Sequence, residues 1–358
     1  MRILVVGAGP AGLASSQSAA AKGHEVMIFE KNGKLGEKAC GEALGKEALG
    51  WVGLEPSRRF VKNDTKGFRM SFKGRFMKEA SFADIPTCPR YVVDKPALLE
   101  TVLEKACELG AKVRFNARVT YVDPAKGKIK MGDGTTEQGD LVVCADGLGS
   151  VARSHLDYSN YGIAMGLQYC CPLPKDIDED YLYLDIIGEG YAWIFPKGGS
   201  ANIGVGLPNS SGKVKELKGY LDRHIEKLGV EPMGKMMAAP VPIGGPLKSF
   251  SREKMVAAGD AAGCVMPLSG EGIRFAFFGG SIAHLPGYRD DFMAQYGNNM
   301  HNSKKMLKII EGLNDEDRFS LLGKLDDPMA TLEGKLPKVT PFLNKPQLLL
   351  KMAKLYLT

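Results

Sequence analysis

The chain has 358 residues, of which 44% are hydrophobic and 25% charged, and it carries a net charge of +6 at pH 7. This length suits about two domains, and the composition is that of an ordinary globular protein. The small positive excess gives no reason to expect nucleic acid as a partner, although it suits an anionic substrate or a membrane surface. The seven cysteines and five histidines form no CxxC pair and no cluster, so we expect neither a disulfide framework nor a metal site.

The two ends of the chain bear on its location. No targeting sequence precedes the first predicted strand and the apolar runs are too short to span a membrane, so we expect a cytoplasmic protein. The stretch 335–358 contains five lysines and no acidic residue, and Leu348, Met352 and Leu355 recur at helical spacing after Pro346. Such an amphipathic helix either docks reversibly on the inner face of the cell membrane or packs on the body of the protein.

The first predicted elements form a βαβ unit, with a strand at Arg2–Val6, a helix over Pro10–Lys22 and a strand at Glu25–Phe29. Later segments predict helices and strands in alternation. These are a helix over Pro96–Gly110, strands at Lys112–Phe115, Arg118–Val122, Lys128–Met131, Leu141–Ala145 and Met255–Ala258, and a helix near 213–228. Buried strands that alternate with helices indicate a parallel sheet.

Two other regions are rich in short strand-like segments, and the chain from about residue 290 onward is mostly helical. We therefore predict an α/β fold in three parts. They are a discontinuous dinucleotide-binding domain of residues 1–59, 91–158 and 246–290, an antiparallel sheet domain of residues 60–90 and 159–245 that binds the substrate, and a helical C-terminal region of residues 291–358.

The sequence GAGPAG at residues 7–12 lies between the first strand and the first helix. Its glycines permit a tight turn, close approach to a pyrophosphate and close packing of helix on strand. The helix N-terminus offers free N–H groups to the phosphates, and Glu30, at the end of the next strand, suits ribose hydroxyls. The motif predicts dinucleotide binding but does not separate FAD from NAD.

Two further glycine-rich segments favour FAD over NAD. They are GDAAG at 259–263 and GEGI at 270–273. Asp260 follows a predicted strand and can accept hydrogen bonds from ribityl hydroxyls. A helix that opens at Gly272 would direct its N–H groups at the N1/O2 edge of an isoalloxazine. That edge becomes anionic on reduction, so the helix dipole favours the reduced flavin.

The sequence GYAWIFPK at 190–197 predicts a strand whose alternate residues are aromatic. With a period of two, Tyr191, Trp193 and Phe195 share one face and form a flat apolar wall. Aromatic core packing is the alternative explanation. An extended apolar substrate would need such a wall beside the cofactor.

Two further segments complete the pattern, namely KACGEA at 38–43 and ADG at 145–147. Together with the glycine-rich motifs and YAWIFP, they resemble the FAD-dependent hydroxylase superfamily and, within it, the geranylgeranyl reductase family. The resemblance covers roughly residues 1–290. It departs at Gly188, where the family's PxxYxWxFP motif begins with proline, and at Lys95, which replaces a flavin-contacting arginine and lacks its bidentate geometry.

The resemblance implies a glutathione-reductase-like FAD-binding Rossmann domain and reduction of C=C bonds in geranylgeranyl chains of archaeal-type membrane lipids or their precursors. It places Cys40 beside flavin and substrate as the candidate catalytic residue, with the aromatic wall as the substrate contact. The cofactor contacts expected from the motifs and the resemblance are Gly7, Gly9, Ala11, Gly12, Glu30, Cys40, Gly41, Ala43, Lys95, Val119, Asp146, Asp260, Gly270, Gly272 and Ile273. No second GxGxxG unit follows a strand, so the expected electron donor is transiently bound NAD(P)H or a protein such as ferredoxin.

An isolated alkene is unactivated, so hydride transfer to it requires nearly simultaneous protonation. Cys40 and a bound water are the candidate proton sources. Two other functions remain open, an aromatic hydroxylase or halogenase of the same superfamily and a non-catalytic flavin-containing protein that binds lipids. Turnover with and without oxygen distinguishes the three functions. A reductase turns over without oxygen, a hydroxylase turns over only with oxygen, and a binding protein does not turn over in either case.

We expect Cys40→Ser to keep its flavin and its melting temperature while alkene reduction falls, because the thiol acts on turnover and not on folding. Flavin absorbance, thermal unfolding and lipid turnover measure the three quantities. A loss of about 2 kcal/mol or more in the free energy of unfolding would instead make the cysteine a packing residue.

Overall fold

The computed structural model describes residues 1–82, 90–159, 161–208, 214–338, 348–350 and 352. Its strands, β1 to β19, are Arg2–Val6, Glu25–Phe29, Ala43–Leu44, Val61–Asp64, Gly67–Phe72, Arg75–Ser81, Tyr91–Val93, Lys112–Arg114, Val119–Asp123, Lys128–Met131, Thr136–Gln138, Leu141–Cys144, Ile163–Pro172, Tyr181–Ile186, Tyr191–Pro196, Ser200–Pro208, Met237–Pro242, Ser251–Arg252 and Met255–Ala257. Its helices, α1 to α8, are Pro10–Ala21, Lys46–Gly50, Lys95–Glu108, Val214–Lys227, Ile273–Ile282, Tyr288–Glu311, Asp315–Lys324 and Pro328–Leu332.

The first large sheet has six strands in the order β18-β19-β12-β1-β2-β8. Its pairs are parallel except that of β18 with β19. The central strands are apolar runs buried on both faces, as is typical of parallel sheets, and α1 packs against α3 and α5 beside them. The predicted α/β fold with a Rossmann-type parallel sheet is confirmed.

The second large sheet has seven strands in the order β17-β13-β16-β15-β14-β5-β6. It is antiparallel except between β14 and β5. On one face, Ile194 and Ile203 pack against Leu217 and Leu221 of α4. The side-chain alternation of β15 therefore sends Tyr191, Trp193 and Phe195 to the opposite face.

Strand β4 departs from the prediction that residues 60–90 belong to the sheet domain. It pairs with β7, which also pairs with β3, in a separate three-stranded sheet. The backbone changes sheets at two adjacent residues, since the Thr65 N–H donates to the Arg90 carbonyl and the Lys66 N–H donates to the Asp180 carbonyl. Only β5 and β6 of this stretch join the large sheet, and residues 83–89 lie outside the described residues.

The C-terminal helices α6 to α8 cover the end of the seven-stranded sheet that carries β5 and β14. Leu348 and Met352 are fully buried in the same cluster as Phe68 and Met70. The interpretation that these two tail residues face a membrane is wrong, because they are buried against this apolar core. The other tail positions at 339–347, 351 and 353–358 lie outside the described residues. Among the described helices, none has the length and apolar character needed to cross a membrane.

Candidate active site

The three glycines of the first turn have three different surroundings. Gly7 has φ +96°, and a Cβ there would lie 2.6 Å from the Ala145 carbonyl oxygen. A Cβ on Gly12 would lie 2.0 Å from the Gly7 carbonyl oxygen, so this residue lets α1 pack on the turn. A Cβ on Gly9 would meet no atom within 4 Å. The open surface at Gly9, next to the N-terminus of α1, is the cradle that a pyrophosphate requires.

Glu30 is buried at the end of β2, with 9% of its surface exposed. Its Oε2 accepts from the Ala8 N–H at 2.8 Å and its Oε1 from the Asn32 N–H at 2.9 Å. A carboxylate has about four acceptor sites, so two remain for ribose hydroxyls. Glu30 thus stabilises the glycine turn and can still bind a ribose beside it.

The second pair of glycine-rich segments lines the same cavity, and Gly259 lies against Ala11 at the start of α1. The Asp260 carboxylate pairs with the Lys38 ammonium at 2.5 Å, which joins the KACGEA segment to the end of β19. Helix α5 begins at Ile273, and its N-cap, Gly272, provides no side-chain cap. The first N–H groups of α5 therefore remain available to an anionic ligand edge.

Two predicted cofactor contacts at the cavity wall are held by backbone groups. The Asp146 Oδ2 accepts from the Val151 N–H at 2.8 Å, and burial raises the pKa of this carboxyl above its ordinary value. The Lys95 ammonium donates to the Lys38 carbonyl, so it holds the start of the KACGEA segment against the start of α3. Both side chains line the cavity.

The segment around Cys40 is fixed by a buried carboxylate. The Cys40 thiol accepts from the Glu42 N–H at 3.3 Å. Glu42 has φ +66°, and its Oε2 accepts from the Lys197 ammonium at 2.6 Å and the Asn202 amide at 2.8 Å. A Cβ on Gly41 would lie 2.8 Å from the Phe195 ring, so only glycine permits this approach of the segment to the aromatic strand.

The aromatic wall has the alternation predicted from YAWIFP. The ring centroids of Tyr191 and Trp193 are 5.8 Å apart, and those of Trp193 and Phe195 are 6.3 Å apart. The Trp193 indole lies over Gly204, where a Cβ would be 2.2 Å from the ring. The Tyr191 hydroxyl donates to the Ser269 carbonyl, and burial raises the pKa of this phenol to about 12, so it stays protonated at neutral pH.

One cavity of about 700 Å³ brings the predicted site together. Of all the predicted site residues, Gly12 alone does not line it, because that residue packs against Gly7. Beyond the aromatic wall the cavity continues into an apolar chamber that the sequence analysis did not predict. The chamber is lined by Phe68, Met70, Leu182, Leu184, Ile186, Met306, Leu307, Ile310, Leu321, Leu322 and Leu325. The helical spacing of the last five was visible in the sequence, but core packing produces the same pattern.

Comparisons with known proteins agree with this geometry. Residues 162–240 match the family model of the geranylgeranyl reductase catalytic domain, and residues 1–157 match that of the pyridine nucleotide-disulphide oxidoreductases. The chain is 31% identical over 308 residues to a digeranylgeranylglycerophospholipid reductase of Methanosarcina acetivorans, covering 80% of this chain and 74% of the relative. It is 26% identical over 384 residues to the reductase of the same name from Methanocaldococcus jannaschii, covering 97% and 96%.

Solved structures show the same fold at lower identity. A geranylgeranyl bacteriochlorophyll reductase-like protein from Thermoplasma acidophilum matches with a TM-score of 0.79 at 24% identity, covering 99% of this chain and 98% of that one. The flavin-dependent halogenase CmlS matches with a TM-score of 0.69 at 18% identity, covering 99% and 76%. Fold and matches together define a flavin-dependent oxidoreductase. Within that class, the chain belongs to the geranylgeranyl reductase family.

Gly9→Ala should abolish flavin binding and leave the apoprotein stable. The new methyl group enters open space at an ordinary backbone conformation, where a change in the free energy of unfolding stays within about 0.5 kcal/mol. Gly12→Ala is the matched control, since its methyl overlaps the Gly7 carbonyl and should cost about 1–3 kcal/mol. Flavin absorbance per chain and chemical denaturation separate the two effects. Normal flavin content in Gly9→Ala would move the pyrophosphate away from this turn.

Gly204→Ala should displace the Trp193 indole, because its methyl group would overlap the ring. Gly206→Ala is the matched control on the same strand, where the nearest atom to the new methyl is 3.6 Å away. The chain has two tryptophans, so fluorescence in a Trp51→Phe background reports on Trp193 alone. We expect a spectral shift and lower flavin-dependent turnover for Gly204→Ala only. Identical spectra for the two variants would contradict the close contact between the Trp193 indole and Gly204.

Proposed function

We propose that the protein binds FAD and saturates C=C bonds of geranylgeranyl chains in archaeal-type membrane lipids or their precursors. One observation carries the proposal. A single cavity joins a dinucleotide cradle to a deep apolar chamber, and Cys40 and the aromatic wall lie between the two. The names of the relatives, which are digeranylgeranylglycerophospholipid reductases, supply the substrate class.

The proposal of FAD rests on the two ends of the cofactor region. Gly9 and Glu30 suit the pyrophosphate and the adenosine ribose, which FMN lacks. Asp260 and the N-terminus of α5 suit the ribityl chain and the ring edge. The residues present thus fit a complete dinucleotide, and when bound it would supply the hydride for the reduction.

The apolar chamber suits a prenyl chain. Exposure of each CH₂ group to water would cost about 0.8 kcal/mol, and an apolar chamber spares the chain that cost when it leaves the bilayer. Transfer from bilayer hydrocarbon to an apolar chamber is itself close to neutral in hydrophobic free energy. The Trp193 and Phe195 rings exclude water from the alkene, and exclusion of water favours transfer to an unactivated double bond. The remaining proposals are peripheral contact with the inner face of the membrane and NAD(P)H or ferredoxin as the electron donor.

The test is anaerobic turnover of the holoenzyme. Protein reduced with dithionite is mixed with a digeranylgeranylglyceryl phospholipid, and the oxidised flavin spectrum should return while the lipid gains mass in steps of two hydrogen atoms. The saturated lipid is the control and should leave the flavin reduced. Mass spectrometry of the cofactor released by heat should identify FAD. Oxygen reoxidises reduced flavin by itself, so the lipid is the readout once oxygen is admitted. A gain of one oxygen atom would indicate a hydroxylase, and lipid that is unchanged with and without oxygen would indicate a binding protein.

A further inference from the structure

A buried cluster of four charged side chains, with a tyrosine bonded to one of them, includes the glutamate of the GEGI segment. The Arg274 side chain is 2% exposed, and its guanidinium donates to both oxygens of Glu271, at 3.0 and 2.8 Å. It also donates to Glu333 at 3.0 Å and to Glu47 at 3.4 Å. The Tyr296 hydroxyl donates to the other oxygen of Glu47 at 2.9 Å. No step described above uses this cluster.

The cluster has more carboxyl groups than its cation can compensate. Three carboxylates around one guanidinium would leave two uncompensated negative charges in a region where every member is at least partly buried. Such a group retains a proton. Burial raises the pKa of Glu333 to about 7; Arg274 opposes this shift, and the Glu271 and Glu47 carboxylates add to it.

Glu333, the carboxyl group whose pKa is raised, lies on the cavity side of the cluster. Glu271 and Glu333 both line the cavity, whereas Glu47 lies behind them and is bonded to Tyr296 of α6. Glu271 lies between the two glycines of the GEGI segment, next to the proposed ring edge. The Tyr191 hydroxyl reaches the same place, at 3.7 Å from a Cβ on Gly270.

We propose that Glu333 stores the proton that alkene reduction consumes. The inference rests on the proposed function and assigns a proton source for it. The Glu333 O–H bond would break as a C–H bond forms at one alkene carbon, and the reduced cofactor, when bound, would supply the hydride for the other carbon. The electron pair of the double bond enters the new C–H bond with the proton. The Glu333 carboxylate that remains lies against Arg274 until solvent returns a proton.

The first test is single-turnover oxidation of the reduced holoenzyme by the unsaturated lipid, followed from acidic to alkaline pH. The wild-type rate should fall as pH rises through the pKa of Glu333, because only the protonated acid can donate. Glu333→Gln should lower the rate about 100-fold and remove this limb of the profile, since general acids contribute about 10²–10⁴-fold. Glu333→Asp should restore part of the rate.

Glu47→Gln is the control within the cluster. It removes a carboxylate that raises the pKa of Glu333 but leaves the acid in place, so the falling limb should move to lower pH. A second readout does not depend on turnover. In holoenzyme with ¹³C-labelled glutamate carboxyls, one resonance should titrate near neutrality and be absent in Glu333→Gln, and the same resonance should titrate at lower pH in Glu47→Gln.

The outcomes separate the two proposals. If wild-type protein is not oxidised by the lipid, the proposed function fails, whatever the carboxyl titration shows. If wild-type protein is oxidised and Glu333→Gln has the same rate and pH profile, the proton assignment is overturned and the reductase assignment stands. A titration near neutrality that persists in Glu333→Gln also overturns it.

Discussion

The active site depends on one buried carboxylate, that of Glu42. Its Oε1 accepts from the Lys95 N–H at the start of α3 at 3.0 Å, and its Oε2 accepts from Lys197 and Asn202 of the seven-stranded sheet. A single side chain therefore joins the cofactor-binding sheet region to the substrate sheet. Loss of the Lys197 partner would leave a buried charge uncompensated, which costs about 3–5 kcal/mol. Glu42 itself lines the cavity at this joint.

The joint also explains a backbone conformation that glycine would adopt more easily. Glu42 has φ +66°, in the left-handed region that costs a residue with a Cβ roughly 1–2 kcal/mol. In that conformation its side chain reaches both sheets while the preceding residues turn toward the cavity. Gly41 then comes within contact of Phe195, and Cys40 lines the cavity. The hydrogen bonds of the carboxylate compensate for the local strain.

The local motifs were predictable because their chemistry depends on short spacings. A strand, the glycine turn at 7–12 and Glu30 occur together within one βαβ unit. The period of two in YAWIFP places its three aromatic residues on the same face of a strand, whatever surrounds that strand. Partners distant in the sequence could not be derived in this way. The chain changes sheets between β4 and β5 through backbone bonds of Thr65 to Arg90 and of Lys66 to Asp180. Glu42 and Glu333 look like surface glutamates until their partners are known. Burial of an ionisable group depends on the whole fold, and a single sequence does not reveal it.

The polarity of the cavity changes along its length, and the position of the Arg274 cluster follows from that change. The cradle at Gly9 offers backbone N–H groups to phosphates, whereas the chamber is lined mainly by aliphatic and aromatic side chains, with Arg318 among the few charged ones. In the proposed reaction the alkene would lie between the two and would need a proton where water is excluded. A carboxylic acid meets this requirement because it is neutral before transfer and can remain in an apolar wall. After transfer it is an anion, and a guanidinium already in place stabilises that anion without any movement of the chain. The Cys40 thiol accepts from the Glu42 N–H, whereas Glu333 lies 3.0 Å from the Arg274 guanidinium that would stabilise its anion, so the carboxyl cluster is the proton source that we propose.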